Sequence, residues 1–151
     1  MKVFAQNKKA KFEYEWLDTF EAGIVLVGGE VKSIRENKIS LNESYVRIKD
    51  GELWLVQTHI AVPSYIPQYA RFEEKRVRKL LMHKKEIIKL KSKVDAKGLT
   101  LIVTKIYQPE NGKNIKCQIA LARGKKMHDK KNVLKERDIK REMDRSIKNF
   151  R

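Results

Sequence analysis

Phe12, Tyr14 and Trp16 alternate with Glu13 and Glu15, and a period of two predicts a strand with one buried face. Residues 20–27, FEAGIVLV, continue as an apolar strand in which Gly23 is expected to mark a bulge or bend. Gly28-Gly29 interrupts it. Val31 and Ile34, three apart, then predict a short helix that shows Lys32 and Arg35 to solvent. Residues 45–49, YVRIK, and 52–58, ELWLVQT, flank Asp50-Gly51. That dipeptide supplies the positive φ values of a tight primed turn, so the segment predicts a hairpin.

From about Glu74 the period changes. Val77, Leu80, Leu81, Ile87, Ile88 and Leu90 predict one helix burying a single side, with Arg78, Lys85, Lys89 and Lys93 in a row on the other. Lys97-Gly98 supplies its end, because glycine accepts the left-handed cap conformation. LTLIVTKIY (99–107) and NIKCQIALA (114–122) form a second hairpin about Asn111-Gly112, with Ile115, Cys117, Ile119 and Leu121 on one face. Cys117 therefore reads as a core thiol. Between the two hairpins, Pro63 and Pro67 frame a loop carrying Tyr65 and Tyr69. The pattern predicts a mainly β fold: about six strands in a closed antiparallel barrel, with helical attachments. A barrel of that size fills its own interior, so ligands must bind outside.

Charge changes the picture. The 151 residues carry 35 Lys and Arg against 19 Asp and Glu, a net +16. The excess sits in two blocks. Residues 71–97 hold 11 basic and 4 acidic side chains, and residues 123–151 hold 12 and 5, each a net +7. The boundary falls after Ala122: 1–122 is the folded domain and 123–151 a basic tail. The tail's apolar stripe, Ile139, Met143, Ile147 and Phe150, is too narrow to offset the entropy of ordering the chain. It is expected to be disordered when free and to become helical on a partner. Lysine and arginine at this density point to a polyanion that releases counterions on binding. No apolar run approaches the roughly 18 residues of a membrane helix, and Met1-Lys2 opens a polar stretch. A cytoplasmic, monomeric protein away from membranes is expected.

Catalytic motifs are missing. His59, His83 and His128 lie far apart without Cys or Glu at metal-ligand spacing, so neither a metal nor another cofactor is expected. Gly28-Gly29 with Lys32 lacks the glycine spacing and ending of a phosphate loop. No serine occupies a nucleophile elbow. Glu30 and Glu52 are the carboxylates that come nearest to a pair, and both read as ordinary surface glutamates. The chain is not expected to be an enzyme. A structural ribosomal protein with a basic extension is the alternative class.

Several blocks resemble, in order and along nearly the whole chain, the SsrA-binding protein family (small protein B), partners of transfer-messenger RNA. They are QNKKA (6–10), FEAGI (20–24), GGEVKSIRENK (28–38), ESYVRIKDGE (43–52), RKLLMHKKEI (78–87), KGLTLIV (97–103), LARGKKMHDKK (121–131) and KERD (135–138). The resemblance implies a six-stranded Greek-key barrel of the oligonucleotide-binding type with about three flanking helices. It also implies an adaptor of trans-translation, which binds the tRNA-like domain of transfer-messenger RNA and, indirectly with elongation factor Tu, delivers it to stalled ribosomes. By motif, Asn7, Glu21, Gly23, Lys32 and Leu81 are implied to face the RNA, supported by Lys8, Lys9, Arg35, Arg78 and Lys79. Gly124, Lys125, Lys126, His128, Asp129, Lys130 and Lys131 are implied to meet the decoding centre from the empty messenger channel. The family commonly has Asp-Pro where Glu73-Glu74 stands here, threonine at Gly29 and arginine at Lys131.

Overall fold

The computed structural model describes residues 1–124. The strands are β1 (Lys2–Gln6), β2 (Tyr14–Ile24), β3 (Ile39–Ser40), β4 (Tyr45–Lys49), β5 (Glu52–Val56), β6 (His59–Ile60), β7 (Arg78–Leu81), β8 (Thr100–Gln108) and β9 (Lys116–Gly124). The α-helices are α1 (Lys9–Glu13), α2 (Gly28–Arg35) and α3 (Lys84–Lys97). Seven strands form one antiparallel sheet in the order β1-β8-β4-β5-β7-β2-β9, while β3 and β6 pair separately. Because β9 pairs with β8 as well as β2, the ladder from β8 through β4, β5, β7, β2 and β9 returns to β8. The strand beyond that ring is β1, which joins the far end of β8.

The two hairpins form as expected. Asp50 and Gly51 have φ of 53° and 76°, as a primed turn requires. Ile115, Cys117, Ile119 and Leu121 enter the main core with Leu53, Leu55, Leu80, Val103 and Ile106. Burial raises the pKa of the Cys117 thiol, which keeps it protonated and inert. The opposite face of β8 and β9 is covered too. Ala10 of α1 packs with Ile102, Ala120 and Ala122, and Trp16 and Tyr14 close over them. Cover on both faces explains why LTLIV and IALA read as unbroken apolar runs.

Three expectations fail. Phe12 and Glu13 lie in α1, so β2 begins at Tyr14, and its irregularity falls between Trp16 and Asp18 rather than at Gly23. The basic lead contains a strand, β1. The predicted helix from Glu74 is a strand followed by a helix. In β7, Arg78 and Leu80 are buried, Lys79 is half-buried and Leu81 exposed. In α3 the buried stripe is Ile87 and Leu90 with Val94 packed beside them, while Ile88 is 66% exposed. Lys85, Lys89 and Lys93 do share exposed positions on α3, but Arg78 does not belong to that row. Gly98 ends α3 at φ 62°, as expected.

Arg78 is wholly buried because α2 supplies a counter-charge. Glu30, also wholly buried, reaches back in the first turn of α2 to accept from the Val27 N–H at 2.9 Å. The same carboxylate accepts from Arg78 Nε at 2.6 Å and from Arg76 Nη2 at 2.6 Å. Arg78 also donates to the carbonyls of Thr58, Arg76 and Glu74. Burial pushes the Glu30 pKa up, but the bonds from Arg76 and Val27 and the charge of Arg78 outweigh it and leave it below the usual 4.5. The cluster ties α2, β7 and the end of the proline loop together.

Candidate nucleic-acid interface

Outward residues of neighbouring strands line up in two rows. Leu81 of β7 pairs with Gly23 of β2, Gly23 with Lys116 of β9, Lys116 with Tyr107 of β8, and Tyr107 with Val3 of β1. Beside it, Glu21 pairs with Gln118, Gln118 with Lys105, and Lys105 with Gln6. At about 4.8 Å between strands, the longer row spans about 19 Å. The two are laced together. The Tyr107 hydroxyl donates to Glu21 Oε2, Lys105 Nζ lies 5.2 Å from the Tyr107 ring centre, and Thr104 Oγ1 donates to Gln118 Oε1 at 2.7 Å. Burial, then the bond and charge of Glu21, raise the Tyr107 pKa, so its proton stays on the phenol.

The longer row is low at Gly23, between Leu81 and Lys116. Gly23 has no positive φ, and a Cβ added there would meet Leu81 Cβ at 3.4 Å, close to ordinary contact. Neither backbone conformation nor packing demands glycine at this position. What the missing side chain provides is a floor on which another molecule's backbone can approach. Hollows on either side of that floor bring Glu21 and His83 together on one side, and Arg35 and Lys113 on the other, with Leu81 and Lys116 common to both. Arg35 Nη1 donates to Gln108 Oε1 at 2.9 Å, which steers the guanidinium toward the end of β8.

The structure thus brings Glu21, Gly23, Arg35 and Leu81 to one place. Asn7 and Lys8 border a separate hollow at the Lys105 end of the rows. Asn7 is 8% exposed; its N–H donates to the Thr104 carbonyl at 2.8 Å and its Nδ2 to the Val103 carbonyl at 3.3 Å. Those carbonyls lie at the irregularity between Val103 and Lys105. Lys9 is exposed on α1, and Lys79 Nζ is 3.1 Å from Glu52. Lys32 is exposed on α2 with its ammonium 5.1 Å from the Tyr65 ring centre. Arg78 is the correction: with no exposed surface and all three guanidinium nitrogens bonded, it has nothing to offer a ligand. Gly124 is the last residue of β9, opposite Tyr14, and Arg123 binds Glu15 at 2.6 Å, so the strand runs two residues beyond the expected boundary. Lys125, Lys126, His128, Asp129, Lys130 and Lys131 lie outside the described residues.

Sequence reasoning missed Lys105, Tyr107, Lys116 and Gln118. The signal was present. Lys116 and Gln118 alternate with the core residues Ile115, Cys117 and Ile119, so they must point outward. Attention to dense charge blocks hid isolated lysines on a strand.

This sheet face carries partly exposed lysines around a glycine floor, with buried Tyr107 linking the two rows, the kind of surface that suits contact with an extended anion. Comparisons place the chain more narrowly. The family model described as SmpB protein matches residues 4–149. The chain is 50% identical over 149 residues to the SsrA-binding protein of Thermosynechococcus vestitus, covering 98% of this chain and 96% of that protein. It is 47% identical to the SsrA-binding protein of a Nostoc species over 99% of this chain and 95% of that one. A solved structure described as "tmRNA-SmpB: a journey to the center of the bacterial ribosome" has a TM-score of 0.65 and 47% identity, with 80% of this chain and 83% of that chain covered. The chain belongs to the SmpB protein family, a family of RNA-binding adaptors and not of enzymes. Among the described residues no helix is long and apolar enough to cross a membrane.

Proposed function

We propose that the chain is an adaptor of trans-translation, binding the tRNA-like domain of transfer-messenger RNA and accompanying it to stalled ribosomes. The observation that carries this reading is the double row from β7 to β1 with its glycine floor. Lys105, Lys113, Lys116 and Arg35 take phosphates there, which fixes position without reading sequence. Glu21 repels phosphate and serves instead as an acceptor for a ribose hydroxyl or a base N–H. Leu81, 52% exposed, supplies apolar contact beside Gly23. The ring of six paired strands is read as an oligonucleotide-binding-type barrel whose outer face is the RNA surface.

The basic tail completes the proposal. Residues 125–151 enter the empty messenger channel, with Lys125, Lys126, His128, Asp129, Lys130 and Lys131 at the decoding centre and elongation factor Tu engaged through the RNA. A cytoplasmic monomer suffices for this. The test separates the two parts. Ending the chain after Gly124 keeps β9 whole and is expected to leave affinity for the tRNA-like domain within a few-fold while abolishing peptide tagging on ribosomes. Loss of RNA affinity on that truncation would refute the division of labour.

A further inference from the structure

The hollow at the Lys105 end of the rows is lined by Asn7, Lys8, Lys11, Trp16, Lys105 and Gln118, and its volume is about 260 Å³. That is just below the roughly 300–1,000 Å³ of sites for drug-sized molecules, a scale that suits one heterocycle. Asn7 lines the hollow, and Asn7 Oδ1 is the one buried side-chain polar atom among the described residues without a hydrogen-bond partner. The amide orientation is fixed, because the Val103 carbonyl can only accept and therefore takes Nδ2. An acceptor so buried is expected to be satisfied by something, and the donor it lacks is an N–H or O–H. Trp16 stands in the same wall, anchored by its Nε1–H donating to the Ala10 carbonyl at 3.1 Å. Lys11 Nζ lies over the indole, 5.9 Å from its centre, so a cation covers that ring face and must move aside for a base to stack there. Three lysines ring the opening, and no carboxylate lines it.

We infer that this hollow is a single-nucleotide subsite, taking one unpaired base of the bound RNA. The base stacks on Trp16 and gives an N–H to Asn7 Oδ1. Its flanking phosphates fall to Lys8, Lys11 and Lys105, with Lys11 moving from the ring face to the phosphate. Unpaired bases are the parts of an RNA that can leave a stack and be read at their edges. The inference rests on the RNA-binding reading, extending it from a face that positions phosphates to a pocket that selects an unpaired site.

The test uses the full chain carrying Trp54→Phe, so that Trp16 alone reports, titrated with the tRNA-like domain of transfer-messenger RNA. Stacking is expected to quench Trp16 emission on binding. Trp16→Leu is expected to weaken affinity by about tenfold or more, as loss of one stacked base does, and Trp16→Phe to restore most of it. Thermal melts of each variant check that the fold persists. RNA bound tightly with Trp16 emission unchanged would overturn the subsite and leave the RNA-binding reading intact. Failure of the parent chain to bind the RNA at all would overturn both.

Discussion

Arg78 and Lys79 are neighbours in one strand with opposite destinies. Arg78 faces inward, has no exposed surface and is held by Glu30 together with Arg76. Lys79 faces outward, 40% exposed, and reaches Glu52 across the sheet. The same contrast separates two regions of the molecule. The cluster under α2 uses charge to fix elements in place; the face from β7 to β1 leaves charge available. A basic residue in a basic protein is therefore no evidence of RNA contact until the side of its strand is known.

The contrast breaks most visibly at Glu30. Glu30→Ala leaves the wholly buried Arg78 charge without its carboxylate, and a loss of about 3–5 kcal/mol in urea unfolding is expected. RNA affinity per folded molecule should change far less. Next in size come Gly23→Glu and Lys116→Glu on the outward face. Each is expected to lower affinity for the tRNA-like domain by about tenfold or more by placing a carboxylate beside phosphates, with midpoints of thermal unfolding nearly unchanged. A large fall in melting temperature with intact RNA affinity would reverse the roles assigned to the two regions.

Acid sharpens the comparison. The Glu30 pKa is lower in the folded protein than its ordinary 4.5. Its contribution is thus fully present above about 4.5 and is lost as pH falls through the lower folded value. Unfolding free energy should be level near neutrality and decline below about 4.5, with a shallower decline in Glu30→Gln. The smallest effect belongs to Gly23→Ala. The new methyl meets only Leu81, so stability should shift by less than about 1 kcal/mol, while RNA affinity falls measurably because the floor is raised.

Much of this was legible in the sequence. The Asp50-Gly51 hairpin carries its turn chemistry and its alternation together, and the second hairpin shows its core face in Ile115, Cys117, Ile119 and Leu121. The segment from 77 to 90 misled for a physical reason. A four-residue strand followed closely by a helix leaves apolar positions at spacings that one helix also satisfies, and exposed Leu81 and Ile88 strengthened the false stripe. Nothing local marks Arg78 as buried; its partner Glu30 is 48 residues away. Strand β1 is a short edge element with Phe4 its one fully buried residue, so its pattern is faint. On the candidate interface, the motif resemblance named Glu21, Gly23 and Leu81, which the fold brings side by side. Lys105, Tyr107 and Lys116 emerge only once the register places them in the same rows.

The most direct test of the central claim is a map of backbone amide signals in the full chain with and without the tRNA-like domain. The account predicts changes concentrated at residues 21–24, 79–83, 104–107 and 113–118, with the amides around Glu30 and Arg78 little affected. Changes confined to α3 and the residues after 124, with the β7-to-β1 face silent, would contradict it.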